Sequence, residues 1–177
     1  KLKGLREAQK GFNKQLENDL QSGSPAAVKD TLVTIVQETF MEPRSGSLEG
    51  ISNTVDLFIS DYAKESDIIR NLVDMSYNDY STVLHSINVM AFALGFAAHM
   101  SYSPNQTKSL GLCALLHDVG KCKISKNILI APRRLTDAEF EEMKRHAIIG
   151  NDILKGCLFG DKDIARTALE HHEKLDG

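Results

Sequence analysis

The chain has 177 residues, of which 42% are hydrophobic and 25% charged, with a formal net charge of −3. This composition fits one globular domain of ordinary size with a small helical extension, and it excludes a largely disordered chain. The weak negative charge supplies no global basic field for a nucleic-acid polymer or an anionic membrane, so any phosphate recognition must be local.

Residues 1–22 are rich in Lys, Glu, Gln and Asn, with Leu2, Leu5, Phe12, Leu16 and Leu20 as sparse apolar positions. Two readings fit: a solvated helix packed loosely on the domain, or a signalling or dimerising helix that follows an upstream sensor domain. Ser24-Pro25 is an N-cap followed by proline at the first helical position, and Val28, Leu32, Ile35, Val36 and Phe40 then share one face. Pro43 to Ser47 reads as a linker. A helix is predicted over Leu48 to Ala63 with Ile51, Val55, Phe58 and Ile59 inward, and Ser66-Asp67 caps a short successor through Met75.

Farther on, His85 shares an apolar stripe with Val89, Phe92 and Phe96, which predicts that it faces the core. Ser103-Pro104 with Gln106 forms a capping box, opening a helix through Leu110, Cys113 and Leu116 to His117, where Gly120 can adopt a left-handed C-terminal cap. Thr136 with Glu139 is a second capping box, on a helix leading to His146 that Gly150 and Gly156 should break or bend. Asp161 to Lys174 makes the last helix. No segment sustains period-two alternation, so the expected class is all-α.

Cys113, Cys122 and Cys157 are odd in number and contain no C-x-x-C pair. They suit small core fillers and a loop thiol in a reducing cytoplasm better than zinc ligation or a disulfide framework. The apolar run Val89 to Ala98 is too short to span a bilayer and lacks a signal-peptide layout, so no membrane contact is expected. The chain opens at Lys1 without Met and stops at Gly177 after a charged segment; both ends read as cuts within a longer protein.

The most informative stretch is His117-Asp118-Val119-Gly120-Lys121. An adjacent His-Asp pair offers a nitrogen and an anionic oxygen donor from one backbone turn, and a carboxylate has two oxygens with which to bridge two cations. Lys121 adds a fixed positive charge suited to a phosphate. His85, His146 and the adjacent His171-His172 complete a donor set of five imidazoles and one carboxylate, too many for one metal ion with open positions. Two divalent ions bridged by Asp118 fit better; imidazole plus carboxylate without thiolate suits iron or manganese and also permits zinc, nickel or cobalt. Glu173 and Asp176 are placed to orient the imidazoles as hydrogen-bond acceptors.

His117 to Lys121 resembles the H-D-x-G-K signature of the HD-domain phosphohydrolases. More specifically, the chain is similar to the HD-GYP subfamily, the bacterial cyclic-di-GMP phosphodiesterases. Tyr80-Ser81 and His85-Ser86-Ile87-Asn88-Val89 match its Y-[ST]-x-x-x-H-S-x-N-V. Ile124 to His146 follows I-x-x-x-I-L-x-x-P-x-x-L-T-x-x-E-F-x-x-M-K-x-H, with Gly150 beyond. His171-His172-Glu173 and Asp176-Gly177 match H-H-E-x-x-D-G.

The resemblance covers 76–177 and implies an HD-domain helical bundle there, in a protein that carries a sensor or receiver module upstream. Residues 1–75 are read as an N-terminal helical extension or linker, with a homodimer through its helices as the partner reading of that segment. It implies that His85, His117 and Asp118 hold one metal, that His146, His171 and His172 hold the second with Asp118 bridging, and that Lys121 binds the substrate phosphate. It implies a cytoplasmic signalling enzyme that linearises cyclic-di-GMP to pGpG, with GMP as a further product. The alternatives are an inactive metal-bound sensing or interaction module, or a phosphohydrolase for another nucleotide; the paired histidines argue against the latter. The G-Y-P, a further aspartate ligand and basic substrate residues are expected beyond Gly177. Ser81 stands where some members carry a glutamate for a third metal, and Ala131 replaces the usual lysine before Pro132.

Overall fold

The computed structural model describes residues 2–43, 45–62, 81–156 and 162–174. The short helix expected over Ser66 to Met75, Tyr80, Cys157 and Asp176 lie outside them, as does the expected boundary at 75/76. Among the described residues there is no strand, and the all-α expectation holds.

Helix α1 (Leu2–Ser22) turns Gln9, Asn13, Leu16 and Leu20 inward at helical spacing, and Gly23 ends it in the left-handed region at φ 67°. Helix α2 (Pro25–Met41) starts as its sequence dictates: the Ser24 hydroxyl accepts from the Ala27 amide, and all five apolar residues of the expected face are buried. Helix α3 (Ser45–Tyr62) begins inside the supposed linker. It packs closely on α1, since a Cβ on Gly50 would lie 2.6 Å from that of Gln9. Two buried polar side chains at this contact satisfy each other, while Gln9 Oε1 finds no partner among the described residues: Asn13 Nδ2 donates to the Gly50 carbonyl (3.0 Å), and the Thr54 hydroxyl donates to Asn13 Oδ1 (2.7 Å). The apolar positions Leu16 and Leu20 of α1 are thus used within the chain.

Helix α4 (Thr82–His99), capped by Ser81, packs along α5 (Pro104–Leu116), which opens on the full Ser103/Gln106 capping box. By length and composition α4 could cross a bilayer, yet Leu84, Ile87, Met90, Ala91, Leu94 and Ala97 are buried in the bundle. A 3₁₀ turn (Val119–Lys123) and the short helix α6 (Lys126–Leu129), neither foreseen from sequence, lead to α7 (Asp137–Lys155) and α8 (Lys162–Glu170). One continuous cluster of buried side chains runs from Leu16 of α1 to Ala168 of α8, so the N-terminal helices and the later ones share a core.

Three expectations are corrected. The stripe of α4 that carries His85 does not face the core: Phe92 and Phe96 are 64% and 52% exposed. Gly150 neither breaks nor bends the chain out of helix, because α7 continues through it to Lys155. Gly120 does not adopt the left-handed cap; it lies in the 3₁₀ turn, and its role is close packing.

Candidate metal centre

Asp118 sits between the end of α5 and the 3₁₀ turn, 1% exposed, and all five candidate histidines gather around it. Its two carboxylate oxygens face different pairs. Oδ2 lies 3.3 Å from His117 Nε2 and 3.8 Å from His85 Nε2, and Lys121 Nζ donates to it at 2.6 Å. Oδ1 lies 3.4 Å from His146 Nε2 and 3.5 Å from His171 Nε2 and has no hydrogen-bond partner among the described residues. His172 joins the second pair, its ring centroid 4.1 Å from that of His171 and 5.1 Å from that of His146. Two donor groups result, His85/His117/Asp118 and Asp118/His146/His171/His172, and within each the ligand atoms lie within 4.8 Å of one another.

The tautomers follow from the backbone. Nδ1 of His117 bonds the Ala114 carbonyl (2.7 Å), that of His146 the Met143 carbonyl (2.6 Å) and that of His171 the Ala168 carbonyl (3.0 Å). A carbonyl only accepts, so in the neutral ring the proton is on Nδ1 and Nε2 presents a lone pair. His146 and His171 then place their Nε2 atoms 3.2 Å apart, lone pair against lone pair. No hydrogen bond reconciles that contact. A cation does, because two nitrogens bound at about 2.1 Å and roughly right-angled or tetrahedral positions are separated by about 3.0–3.4 Å. His85 and His117 repeat the spacing at 3.3 Å. The acceptors that orient the rings are backbone carbonyls three residues back in the chain, rather than the expected Glu173 carboxylate.

The electrostatics favour the ligand forms. Burial alone would raise the Asp118 pKa, but the Lys121 ammonium donating to Oδ2, together with the imidazoles of His117 and His171 beside the carboxylate, outweighs it and holds the carboxyl far below the usual range. Burial lowers the pKa of His85, His146 and His172, with neighbouring imidazoles adding to the effect. The residues present therefore fit divalent cations: neutral imidazoles, an ionised carboxylate with one orphaned buried oxygen, and restrained ring orientations.

Close packing of three segments fixes this geometry. A Cβ on Gly120 would lie 2.0 Å from the His146 carbonyl oxygen and 2.6 Å from the Gly150 amide nitrogen; one on Gly150 would meet Ala168 Cβ at 3.3 Å. The two glycines bring the 3₁₀ turn onto α7 and α7 onto α8, which joins Asp118 to His146 and His171. Asn151 Nδ2, donating to the Ala165 carbonyl at 2.7 Å, pins α7 to α8. Sequence reasoning missed Asn151; its only signal was a polar residue one position past Gly150. Two cavities flank the cluster, about 590 Å³ on the α7 side and about 540 Å³ beside α4 and α5, and Lys121 and His172 line both.

A fold of helices whose buried His-Asp pair draws in further histidines is that of the HD domain, and the family model "HD domain" matches residues 82–177; the chain belongs to that family. Among curated proteins, a cyclic di-GMP phosphodiesterase of Pseudomonas aeruginosa is 31% identical over 126 residues, covering 71% of this chain and 30% of that protein. A cyclic di-GMP phosphodiesterase of Thermotoga maritima is 29% identical over 154 residues, covering 85% of this chain and 42% of that one. The 3′3′-cGAMP-specific phosphodiesterase 3 of Vibrio cholerae is 38% identical over 96 residues, covering 54% and 21%. These relatives agree with the HD-GYP subfamily that the motifs resemble. The chain spans less than half the length of each.

Proposed function

We propose that this domain is a metal-dependent phosphodiesterase that hydrolyses cyclic-di-GMP to linear pGpG, with GMP as a further product, in the bacterial cytoplasm. The observation that carries the reading is the division of Asp118, one carboxylate oxygen toward each histidine group, with the Nε2 lone pairs of His117, His146 and His171 directed by backbone carbonyls. His85, His117 and Asp118 would hold one ion and His146, His171, His172 and Asp118 the other, iron or manganese being the best match to these donors. When bound, such ions lower the pKa of water to give a nucleophile near neutral pH and withdraw charge from a phosphodiester.

The chain's own residues do the rest. Asp118, kept ionised, balances part of the positive charge at the centre of the site. Lys121, its ammonium 2.6 Å from Asp118 and its stem lining both cavities, is placed to bind a phosphate oxygen on either side and stabilise charge that builds there. Leu116 and Val119, which flank the pair in sequence, are buried in the hydrophobic core and anchor it there. A dinucleotide has a base on each side of its scissile phosphate, and the flanking cavities supply room on each side of the cluster.

The names of the relatives shape the test, since some are named for cyclic di-GMP and others for 3′3′-cGAMP. Anaerobically purified protein is analysed for metal content and incubated with each cyclic dinucleotide, with products separated by chromatography. Linear dinucleotide formation that requires metal and is lost in Asp118→Ala supports the reading. Stoichiometric metal binding that survives Asp118→Ala, or hydrolysis indifferent to metal removal, overturns it.

A further inference from the structure

Phe140 stands three and four residues before Met143 and Lys144, and Ala147 four and three after them, so the four form a stripe on α7 that ends beside His146. All four line the cavity of about 590 Å³, which Lys121, His146 and His172 of the donor cluster also line. Phe140 is 54% exposed, while the core face of α7 is a different one, formed by His146, Gly150, Asn151 and Leu154. Phe140 therefore adds nothing to the core. Its place is nevertheless fixed: Glu139 bonds both the Thr136 amide and the Arg133 guanidinium (2.7 and 2.8 Å), anchoring the first turn of α7, and Lys144 Nζ lies 5.3 Å from the ring centroid. Phe140 and His146 are six helical steps apart, a rise of about 9 Å, which a nucleoside monophosphate spans.

We propose that this cavity is a nucleobase subsite and that Phe140 is the ring on which one base of the substrate stacks while the adjoining phosphate meets Lys121. The proposal rests on the phosphodiesterase reading for the identity of the base, guanine, but not for the existence of the subsite. An aromatic ring recognises a base by its π-face, and losing such a stack weakens binding by roughly tenfold or more. Lys144, paired with Glu141, lies over the ring and restrains it.

The test uses GMP, which a phosphodiesterase does not cleave, and ribose 5-phosphate, which has the same phosphate and sugar without a base. The chain contains no tryptophan, so Phe140→Trp introduces a single indole reporter. In the manganese-loaded chain, GMP should quench that indole saturably and ribose 5-phosphate should not. By equilibrium dialysis, Phe140→Ala should raise the Kd for GMP about tenfold, leave that for ribose 5-phosphate unchanged and leave manganese content unchanged. Equal quenching by both ligands, or unchanged GMP affinity in Phe140→Ala, overturns the subsite. Quenching by GMP in a protein that fails to cleave either cyclic dinucleotide would refute the phosphodiesterase reading and leave the subsite standing.

Discussion

Gly120→Ala adds one methyl group at a point where the backbones of two segments touch. The new carbon would lie 2.0 Å from the His146 carbonyl oxygen, whereas an ordinary carbon–oxygen contact is about 3.3 Å, so the segments must separate by roughly 1.3 Å. The obstructing atoms are main-chain atoms of α7 and no rotamer change relieves them. The movement is therefore passed to the site, because Asp118 precedes the turn and His146 belongs to the displaced strand of α7 backbone. Metal-ligand bonds tolerate about 0.2 Å, and a shift of about 1 Å can cost roughly a hundredfold in rate. Overpacking of this kind destabilises by about 1–3 kcal/mol, which for a chain of this size is a fall in Tm of roughly 2–10 °C. The expected outcome is a protein that remains helical by circular dichroism, melts lower and binds manganese at least tenfold more weakly by calorimetry. Gly150→Ala is the graded comparison, since its new carbon would meet Ala168 Cβ at 3.3 Å and the Gly120 amide nitrogen at 3.4 Å, a misfit of only a few tenths of an ångström, and alanine favours the helix; its metal affinity should fall less than that of Gly120→Ala. A Gly120→Ala protein with unchanged manganese affinity would refute the claim that this contact sets the distance between Asp118 and His146.

Further outcomes follow from the same geometry. Lys121→Ala should keep its metals and lose turnover, since an ammonium cannot be a ligand; a variant that folds but is metal-free by elemental analysis would contradict this role. Removing metal with a chelator should lower Tm by roughly 5–10 °C, corresponding to about 2.7 kcal/mol at a hundredfold excess over Kd, as the apposed lone pairs and buried Asp118 lose their partner. A Tm unchanged by chelation would argue against a cation there. Thr136→Ala removes a hydroxyl that caps α7 and should cost about 1 kcal/mol by urea denaturation, with metal affinity little altered.

Much of this molecule was legible in local patterns. The apolar spacing of α2 and the Ser24, Ser103 and Thr136 caps depend on residues close in sequence, and backbone geometry turns such patterns directly into helices and their ends. The histidines were recognisable as a set because few other purposes explain so many imidazoles among otherwise ordinary core patterns. Other features depended on what packs against what. Helix α4 carries apolar residues on more than one face, and periodicity cannot say which face α2 and α5 cover; packing chose Leu84, Ile87, Met90 and Leu94 and left His85 with Phe92 and Phe96 on the open side. A glycine in sequence signals freedom without naming its use. Only the tertiary contact showed that Gly120 serves the approach of His146 rather than a left-handed turn. The tautomers, too, come from carbonyls three residues back on helical turns, a donor-acceptor match that exists only once those helices and their ends have formed.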